Sequence, residues 1–178
     1  MSTDPQTTIS IFWADDVAHN VRELGALLHA CVHDGASIGF VLPFPQEESE
    51  AFWIDNVLPA VQRGVRLLLV VHRDGRIAGS GQLDYDTPPN QPHRAEVRKL
   101  LVHPDFRRLG LAKALMAELE RQAGERGRSL LTLDTRTGDK AEPLYASLGY
   151  KTAGIIPGYC RDPFQGNLDS TTLMYRAL

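Results

Sequence analysis

The sequence contains little cysteine, no surplus of basic side chains and no long apolar run. Two cysteines among 178 residues, Cys31 and Cys160, are too few for a disulfide-rich scaffold; both are predicted free thiols, and a disulfide between them stays open. With 19 Lys and Arg against 22 Asp and Glu, the net charge of −3 argues against a general nucleic-acid binder. No run reaches the ~20 apolar residues of a membrane span, and no secretory apolar segment opens the chain. We therefore expect a cytoplasmic protein whose partners include neither nucleic acid nor membrane.

The first half of the chain predicts helices that lead into a β-hairpin. A short strand over residues 8–14 precedes helical patterns over 15–32 and 46–64, and Pro59 should kink or divide the second helix. Two apolar strands joined by Asp74-Gly75 predict a hairpin over residues 65–85.

The second half alternates strands with helices, so the whole chain, residues 1–178, is predicted to form one mixed α/β domain. The helix over 109–123 places Leu109 on its apolar face. The helix over 139–150 has Asp139 as its expected cap, Glu142 at the capping-box position and Gly149 at its end. The strands of this half are predicted over residues 94–102, 129–135, 150–156 and 170–177.

The stretch HPDFRRLGLAKAL, residues 103–115, turns from strand to helix through arginines and small residues. The first N–H groups of a helix lack intrahelical partners and favour an anion. Gly110 and Ala112 let a ligand approach the backbone, and Arg107, Arg108 and Lys113 add positive charge. The turn therefore suits a phosphate or pyrophosphate, the alternative being an ordinary helix entry with solvated basic residues. It matches neither the P-loop nor the Rossmann fingerprint.

The same stretch resembles the acetyl-CoA loop of the GNAT N-acetyltransferases, since an Arg is followed at +3 by Gly and at +5 by Ala. The segment AEPLYASLGY, residues 141–150, is similar to a later segment of that family. The resemblance covers roughly residues 65–156 and implies a GNAT acyltransferase fold: a mixed, mostly antiparallel twisted sheet flanked by helices, with splayed central strands.

The resemblance also implies acetyl-CoA as cosubstrate, with no metal. Leu101 and Val102 would pair with the pantetheine arm. Gly138 stands where many members carry an Asn that touches the cofactor. Backbone N–H groups would hold the pyrophosphate at Arg107, Arg108, Leu109, Gly110, Leu111 and Ala112.

Four further blocks resemble the tabtoxin-resistance acetyltransferases, GNAT enzymes that acetylate a β-lactam toxin: HDGASIGF, RAEVRKLLV, LLTLDT and PGYC. This similarity implies an acetyl-CoA-dependent N-acetyltransferase that acts on the amine of a small molecule, such as a β-lactam toxin or antibiotic, in detoxification or resistance. HDGASIGF and the PGYC loop are expected to border the acceptor pocket. A protein or peptide acceptor, and a non-catalytic coenzyme A-binding module, stay open as alternatives. The chain could act as a monomer or a homodimer.

Glu96 and Asp134 are the candidate proton acceptors, because each lies on a predicted strand among apolar neighbours and an ammonium nucleophile must lose a proton. The resemblance implies that both face the gap between the splayed strands and act as one unit. Alternatively, Glu96 forms a surface ion pair with Arg94 or Arg98, and Asp134 bonds to a turn. Tyr145, which occupies the position of the family's Tyr, would protonate the departing thiolate; otherwise it is a packed aromatic on a helix face.

Two other features carry weaker hypotheses. His29 and His33 have the i, i+4 spacing of a metal pair, yet the six histidines form no ligand cluster and no HExxH motif, so no metal is expected. Cys160 has no evident base beside it, which favours packing or a place in the substrate pocket over a nucleophile.

Overall fold

One sheet of seven strands organises the chain. The computed structural model describes residues 6–178; the predicted domain also includes residues 1–5, which lie outside the described residues. Neighbours in the sheet follow the order β1-β2-β3-β4-β5-β7-β6, and all pair antiparallel except β4 and β5. The mixed, mostly antiparallel sheet predicted from the sequence is therefore confirmed. Its strands are β1 (Thr7–Phe12), β2 (Arg66–Arg73), β3 (Arg76–Asp84), β4 (Arg94–Val102), β5 (Leu130–Arg136), β6 (Lys151–Arg161) and β7 (Leu168–Ala177).

Helices cover the sheet on two sides and divide its core into two clusters. The helices are α1 (Ala14–His19), α2 (Val21–His33), α3 (Gln46–Phe52), α4 (Leu58–Gln62), α5 (Leu111–Glu125) and α6 (Ala141–Ser147). One cluster joins α2 and the buried Trp53 to Leu68 and Val70 of β2. The other joins the apolar face of α5 to β2–β5 and includes Tyr145 of α6.

Local sequence explains the strands that carry the site. The β2–β3 hairpin turns at Asp74 and Gly75, which both have a positive φ (52° and 78°). A two-residue type I′ turn requires positive φ at both of its central residues. On β5, Leu131 and Leu133 are buried in the α5 cluster. Alternation along the strand then directs Thr132 and Asp134 to the opposite face of the sheet.

Three predicted helices differ from those observed. The pattern over 15–32 is two helices, because Asn20 ends α1 and precedes α2. The pattern over 46–64 is divided, as Pro59 suggested, but a π-helical turn at Trp53–Val57 separates α3 from α4. The helix predicted from 109 begins at Leu111, since Gly110 has a left-handed φ of 77°. Leu109 therefore lies before the helix and is 47% exposed, so the prediction that it packs on the apolar face is wrong.

The predictions for the cap of α6 and for the extent of β6 also differ from the structure. Gly149, with φ of 89°, follows α6 as predicted. Asp139 does not cap α6: its carboxylate accepts from the Lys140 N–H at 2.6 Å and pairs with Arg136 at 3.2 Å. Glu142 accepts from the Gly138 N–H at 2.7 Å. The block PGYC, predicted as a loop, is part of β6, which runs to Arg161.

Candidate active site

The junction between β4 and α5 forms a loop of free backbone donors. A 3-10 turn at Pro104–Phe106 leads to Arg107 in an extended conformation, and Arg108 then adopts a positive φ of 61°. The first bond of the helix runs from the Ala114 N–H to the Gly110 carbonyl at 3.0 Å. The N–H groups at residues 111–113 therefore lack intrahelical partners, as the sequence predicted for an anion site.

This loop borders a cavity of about 750 Å³, which we call the cofactor cavity. Leu109 is absent from its lining, in keeping with its exposed position outside the helix. Lys113 and Lys140 add two ammonium groups; sequence reasoning had missed Lys140, which lies just before α6. Seven of the eight predicted cofactor residues line this cavity: Leu101, Val102, Arg107, Arg108, Gly110, Leu111 and Ala112.

The end of α2 closes one side of the cofactor cavity. Asp34 forms an ion pair with Arg107 and so ties the loop to this helix end. The Cys31 thiol donates to the Val102 carbonyl at 3.5 Å. Burial raises the pKa of Cys31 to about 12, so the thiol is protonated and unreactive at neutral pH.

A bulge interrupts β4 next to this cavity. Ser80 of β3 pairs with Leu101, whereas Gln82 pairs with Arg98, so Gly81 faces the two residues Lys99 and Leu100. Lys99 has a φ of 49°, in the left-handed region that non-glycine residues adopt infrequently. The bulge changes the direction of the side chains along the strand and separates the cofactor end of β4 from its acidic end.

Strands β4 and β5 pair over only three residues each. Their parallel register runs from Arg94 with Leu130 to Glu96 with Thr132, and beyond that point the strands diverge. The divergence confirms the predicted splay. It opens a second cavity, of about 440 Å³, whose lining includes Glu96 and Asp134. We call this the acceptor cavity.

Glu96 and Asp134 share the face of the sheet that lines the acceptor cavity. Glu96 lies 3.7 Å from the Arg98 guanidinium, so the ion pair considered as an alternative does form. The side chain remains 37% exposed and borders the cavity at the same time. Asp134 is exposed, and its Oδ2 accepts a hydrogen bond from the Thr171 hydroxyl of β7 at 3.1 Å. Its partner is therefore on a neighbouring strand, whereas the alternative from the sequence had placed it in a turn.

Tyr145 lies where the two cavities meet, since it lines both of them. The ring is 6% exposed and packs against Tyr150 with ring centroids 5.9 Å apart. Burial raises the pKa of Tyr145 above its usual range, and the carboxylates of Asp134 and Asp139 raise it further. The hydroxyl is therefore a proton donor at neutral pH. Tyr145 is therefore packed in the core, as the structural alternative expected, and it also lines both cavities, while its role as the acid stays a prediction.

The segment after α2 and the strand β6 complete the acceptor cavity. Residues 36–41 form one side and Tyr159, Cys160 and Arg161 another, so HDGASIGF and PGYC border the same cavity. Ser37 Oγ lies 3.5 Å from Cys160 Sγ. The Leu42 N–H donates to the Pro163 carbonyl at 2.8 Å and holds the two segments together.

Lys99 is the residue of the acceptor cavity that sequence reasoning missed. Its ammonium donates to the Ile38 carbonyl at 2.6 Å. Burial lowers its pKa, and Arg98 lowers it further, against the opposing effect of Asp134. The only sequence signal was its place in RAEVRKLLV, where strand alternation without a bulge would put Lys99 on the face of Ala95 and Val97, opposite Glu96.

The remaining candidates are the two histidines of α2 and the two cysteines. His29 and His33 stack with ring centroids 3.9 Å apart. Across residues 6–178 no three His, Cys, Asp or Glu side chains gather into a group able to hold a metal ion. Cys160 is a free thiol, as is Cys31. Within the same residues, no helix combines the length and apolar character needed to cross a membrane.

Comparison with known proteins agrees with this geometry. The chain is 35% identical over 114 residues to the uncharacterized N-acetyltransferase of the hisH-hisA intergenic region of Azospirillum brasilense; the match covers 63% of this chain and 66% of that protein. The chain therefore matches just under two thirds of the length of that relative.

Two solved structures share the fold over nearly the whole chain. The ribosomal-protein-alanine N-acetyltransferase of Brucella melitensis superposes with a TM-score of 0.76 at 21% identity, covering 96% of this chain and 99% of that one. The structure of yncA from Salmonella typhimurium, solved with its cofactor acetyl-CoA, gives a TM-score of 0.76 at 20% identity, covering 97% of this chain and 94% of that one. The model of the Acetyltransferase (GNAT) family matches residues 32–150, more than half of the sequence. This chain belongs to the GNAT acetyltransferase family.

Proposed function

We propose that this protein transfers the acetyl group of acetyl-CoA to the amine of a small molecule. The observation that carries the proposal is the meeting of two cavities at Tyr145: one lined by the helix-start loop, the other by Glu96 and Asp134. A donor bound in the first and an amine bound in the second would meet at one point. Family membership supports the same chemistry.

The cofactor cavity fits coenzyme A in charge and in backbone geometry. The free N–H groups at the start of α5, with Arg108 and Lys113 beside them, suit the pyrophosphate. The edge of β4 that faces β5 is unpaired after Glu96, so the end of the strand at Leu101 and Val102 is open to an extended pantetheine arm, beside the Val102 carbonyl that accepts from Cys31. Bound acetyl-CoA supplies the activated acetyl group.

The acceptor amine needs a proton acceptor before it can attack. An alkylammonium with a pKa of about 10 is only ~0.1% neutral at pH 7, a deficit of about 4 kcal/mol. Asp134 is the more available carboxylate, because it is exposed and has a hydroxyl partner, whereas Glu96 is close to Arg98. We assign the two a shared role in taking the proton, directly or through water.

Tyr145 would donate to the sulfur of the departing coenzyme A. Its raised pKa keeps the hydroxyl protonated but makes full proton transfer less favourable. The negative charge of Asp134 is one cause of that raised pKa. A proton that arrives on Asp134 would therefore lower the pKa of Tyr145 and make it a better donor at the moment the sulfur leaves.

The finer proposal is that the acceptor is a β-lactam toxin or a related amino-acid-like compound, and that its acetylation confers resistance. It is supported by the similarity at HDGASIGF and PGYC, both of which border the acceptor cavity. A volume of about 440 Å³ is in the range of small-molecule sites. Peptide acetylation and non-catalytic binding are the alternatives that the experiment must separate.

The test is thiol release from acetyl-CoA with three groups of acceptors: small amines, β-lactam dipeptides and peptides. We expect release with small amines, and mass spectrometry should find one added acetyl group on the product. Peptides acetylated far faster than every small amine would contradict the small-molecule proposal. Acetyl-CoA binding without release to any acceptor would identify a binding module instead.

A further inference from the structure

Lys99 is a cation held inside the acceptor cavity with most of its hydrogen-bonding capacity unused. The ammonium carries three donors, and the Ile38 carbonyl accepts one of them at 2.6 Å. Its nitrogen lies 5.7 Å from the ring centroid of Phe40 and 5.8 Å from that of Phe52. The two aromatic rings take the place of water on one side of the ammonium. A further partner can reach it from the acceptor cavity.

Of the three arginines that line the acceptor cavity, Arg98 and Arg136 already have carboxylate partners, and Arg161 is exposed. Arg98 lies 3.1 Å from Asp84 and 3.7 Å from Glu96. Arg136 has three carboxylates within 4.0 Å. Lys99 has none within that distance in residues 6–178. A partly buried cation without a counter-ion is costly, so a ligand that supplies the missing negative charge would be stabilised at this position.

The acceptor cavity holds groups of both signs around Lys99. Asp134 and Glu96 lie farther from the ammonium than an ion-pair distance, and the positive charges of Arg98 and Arg66 are offset by their pairs with Asp84 and Glu96. The cavity thus has an acidic part at Glu96 and Asp134 and a separate basic part at Lys99. A molecule with one ammonium and one carboxylate matches this arrangement in both charges.

We infer that Lys99 is the subsite for the acceptor's carboxylate, so that the acceptors of this protein are amino acids or amino-acid-like zwitterions. The inference rests on the proposed function, because it deepens the description of the same cavity. The carboxylate would accept the two unused donors of Lys99, and the amine would then lie toward Glu96 and Asp134. Amines without the carboxylate would leave the subsite unpaired.

The first test needs no variant. α-Amino acids and their carboxamides are assayed as paired acceptors with the wild-type protein and acetyl-CoA, since each pair exchanges a carboxylate for a neutral amide. The comparison uses KM, because the amide also lowers the pKa of the neighbouring ammonium and so changes the rate of attack. We expect a lower KM for the acids. Acetylation without preference for the acid, or with preference for the amide, would overturn the inference and leave the proposed function intact. If acetyl-CoA binds and no small amine is acetylated, the proposed function fails and this inference fails with it.

The second test is Lys99→Met, which keeps a long apolar side chain between the aromatic rings. We expect KM for the acids to rise by roughly 10- to 100-fold, the loss of a charge-assisted hydrogen bond. The KM for the amides, kcat and the pH profile of kcat should stay unchanged. Lys151→Met is the matched control, because Lys151 is exposed on β6 and lines neither cavity.

The other outcomes contradict the inference in recognisable ways. A fall of kcat for acids and amides alike, with a shifted pH profile, would make Lys99 part of the proton route. Loss of activity with both acceptors together with a lower unfolding temperature would make it structural. An equal rise of KM in Lys151→Met would mean that the effect comes from the change in the protein's net charge and not from a subsite at Lys99.

Discussion

The cofactor loop and the acceptor cavity are built in opposite ways. The loop is one continuous stretch, residues 103–113, and its donors are backbone N–H groups released by a helix start. The acceptor cavity takes its walls from four distant segments, and its chemistry comes from side chains. A backbone site tolerates many side chains as long as its turn is kept, whereas a side-chain site changes with each substitution. The comparison predicts that acceptor specificity can vary in this fold without loss of the cofactor.

Removal of the two carboxylates should have the largest effect and should be confined to the acceptor side. Glu96→Gln and Asp134→Asn keep shape and remove charge, and each should lower single-turnover acetyl transfer by about 10²–10⁴-fold. If they share one proton route, the double variant should lose little more than either single variant. Glu47→Gln, an exposed carboxylate on α3 outside both cavities, is the control. Wild-type rates in both single variants would show that the carboxylates are structural.

Asp84 tests whether the wall of the acceptor cavity depends on its ion pairs. Its carboxylate lies 2.7 Å from Arg66 and 3.1 Å from Arg98, and the side chains of Asp84 and Arg66 are each 11% exposed. Asp84→Asn should lower the free energy of unfolding by roughly 3 kcal/mol, because it leaves Arg66 without its counter-charge. Asp86→Asn should have little effect, since the Arg63–Asp86 pair is 3.9 Å long with side chains 61% and 64% exposed.

The effect of Asp84 should depend on pH with a defined sign. Burial raises the pKa of Asp84, but hydrogen bonds from Arg66, the Asp86 N–H and Arg98 outweigh it, so the net pKa is below the usual 3.8. A lowered folded pKa stabilises the protein above the unfolded value, and this contribution is lost as the pH falls through the folded pKa. In urea unfolding, the difference in unfolding free energy between the wild type and Asp84→Asn should therefore become smaller below about pH 3.8. A gap independent of pH would contradict this assignment.

Tyr145→Phe should distinguish the effect of the hydroxyl on acetyl transfer from its effect on cofactor binding. The ring stays in place while the hydroxyl is lost, so we expect kcat to fall by about 10²-fold and acetyl-CoA affinity to change little. Pre-steady-state kinetics and calorimetry measure the two quantities. An equal loss of affinity would mean that the hydroxyl serves cofactor binding.

Gly110→Val should have the smallest effect and should be confined to the cofactor side. No atom lies within 4 Å of a Cβ at Gly110, so the expected cause is the φ of 77°, which a β-branched residue resists. Acetyl-CoA binding should weaken by about 10-fold or more, as the turn that presents the N–H groups is lost. Gly127 is the matched control, because it follows α5 with a φ of 69° and equally open space. Equal affinity in Gly110→Val and Gly127→Val would contradict the loop assignment.

The comparison also explains how much could be predicted from the sequence. Gly110 and the arginines before it lie within a few residues of one another, so their spacing was sufficient to predict an anion site. Glu96 and Asp134 could be brought together only through the resemblance, since 38 residues separate them and no local pattern links them. The assignments of these residues, and of a single domain over 1–178, stay predictions.

What could not be predicted depends on register and on packing. A bulge in β4 depends on its pairing with β3, so the direction of the Lys99 side chain is not encoded in RAEVRKLLV alone. The break at Asn20 and the π-helical turn at Trp53–Val57 follow from packing of several helices, where a continuous apolar pattern is equally compatible with one helix. PGYC contains the residues of a turn, yet pairing with β7 holds its end in the sheet.

Cys31 has a consequence for the redox behaviour of the proposed enzyme. A thiol beside a coenzyme A site can undergo disulfide exchange with oxidised coenzyme A. This exchange requires the thiolate form of the cysteine. With the pKa of Cys31 raised to about 12, roughly one molecule in 10⁵ carries a thiolate at pH 7. We therefore expect the buried Cys31 thiol to exchange only slowly with oxidised coenzyme A, although it lies beside the cofactor cavity.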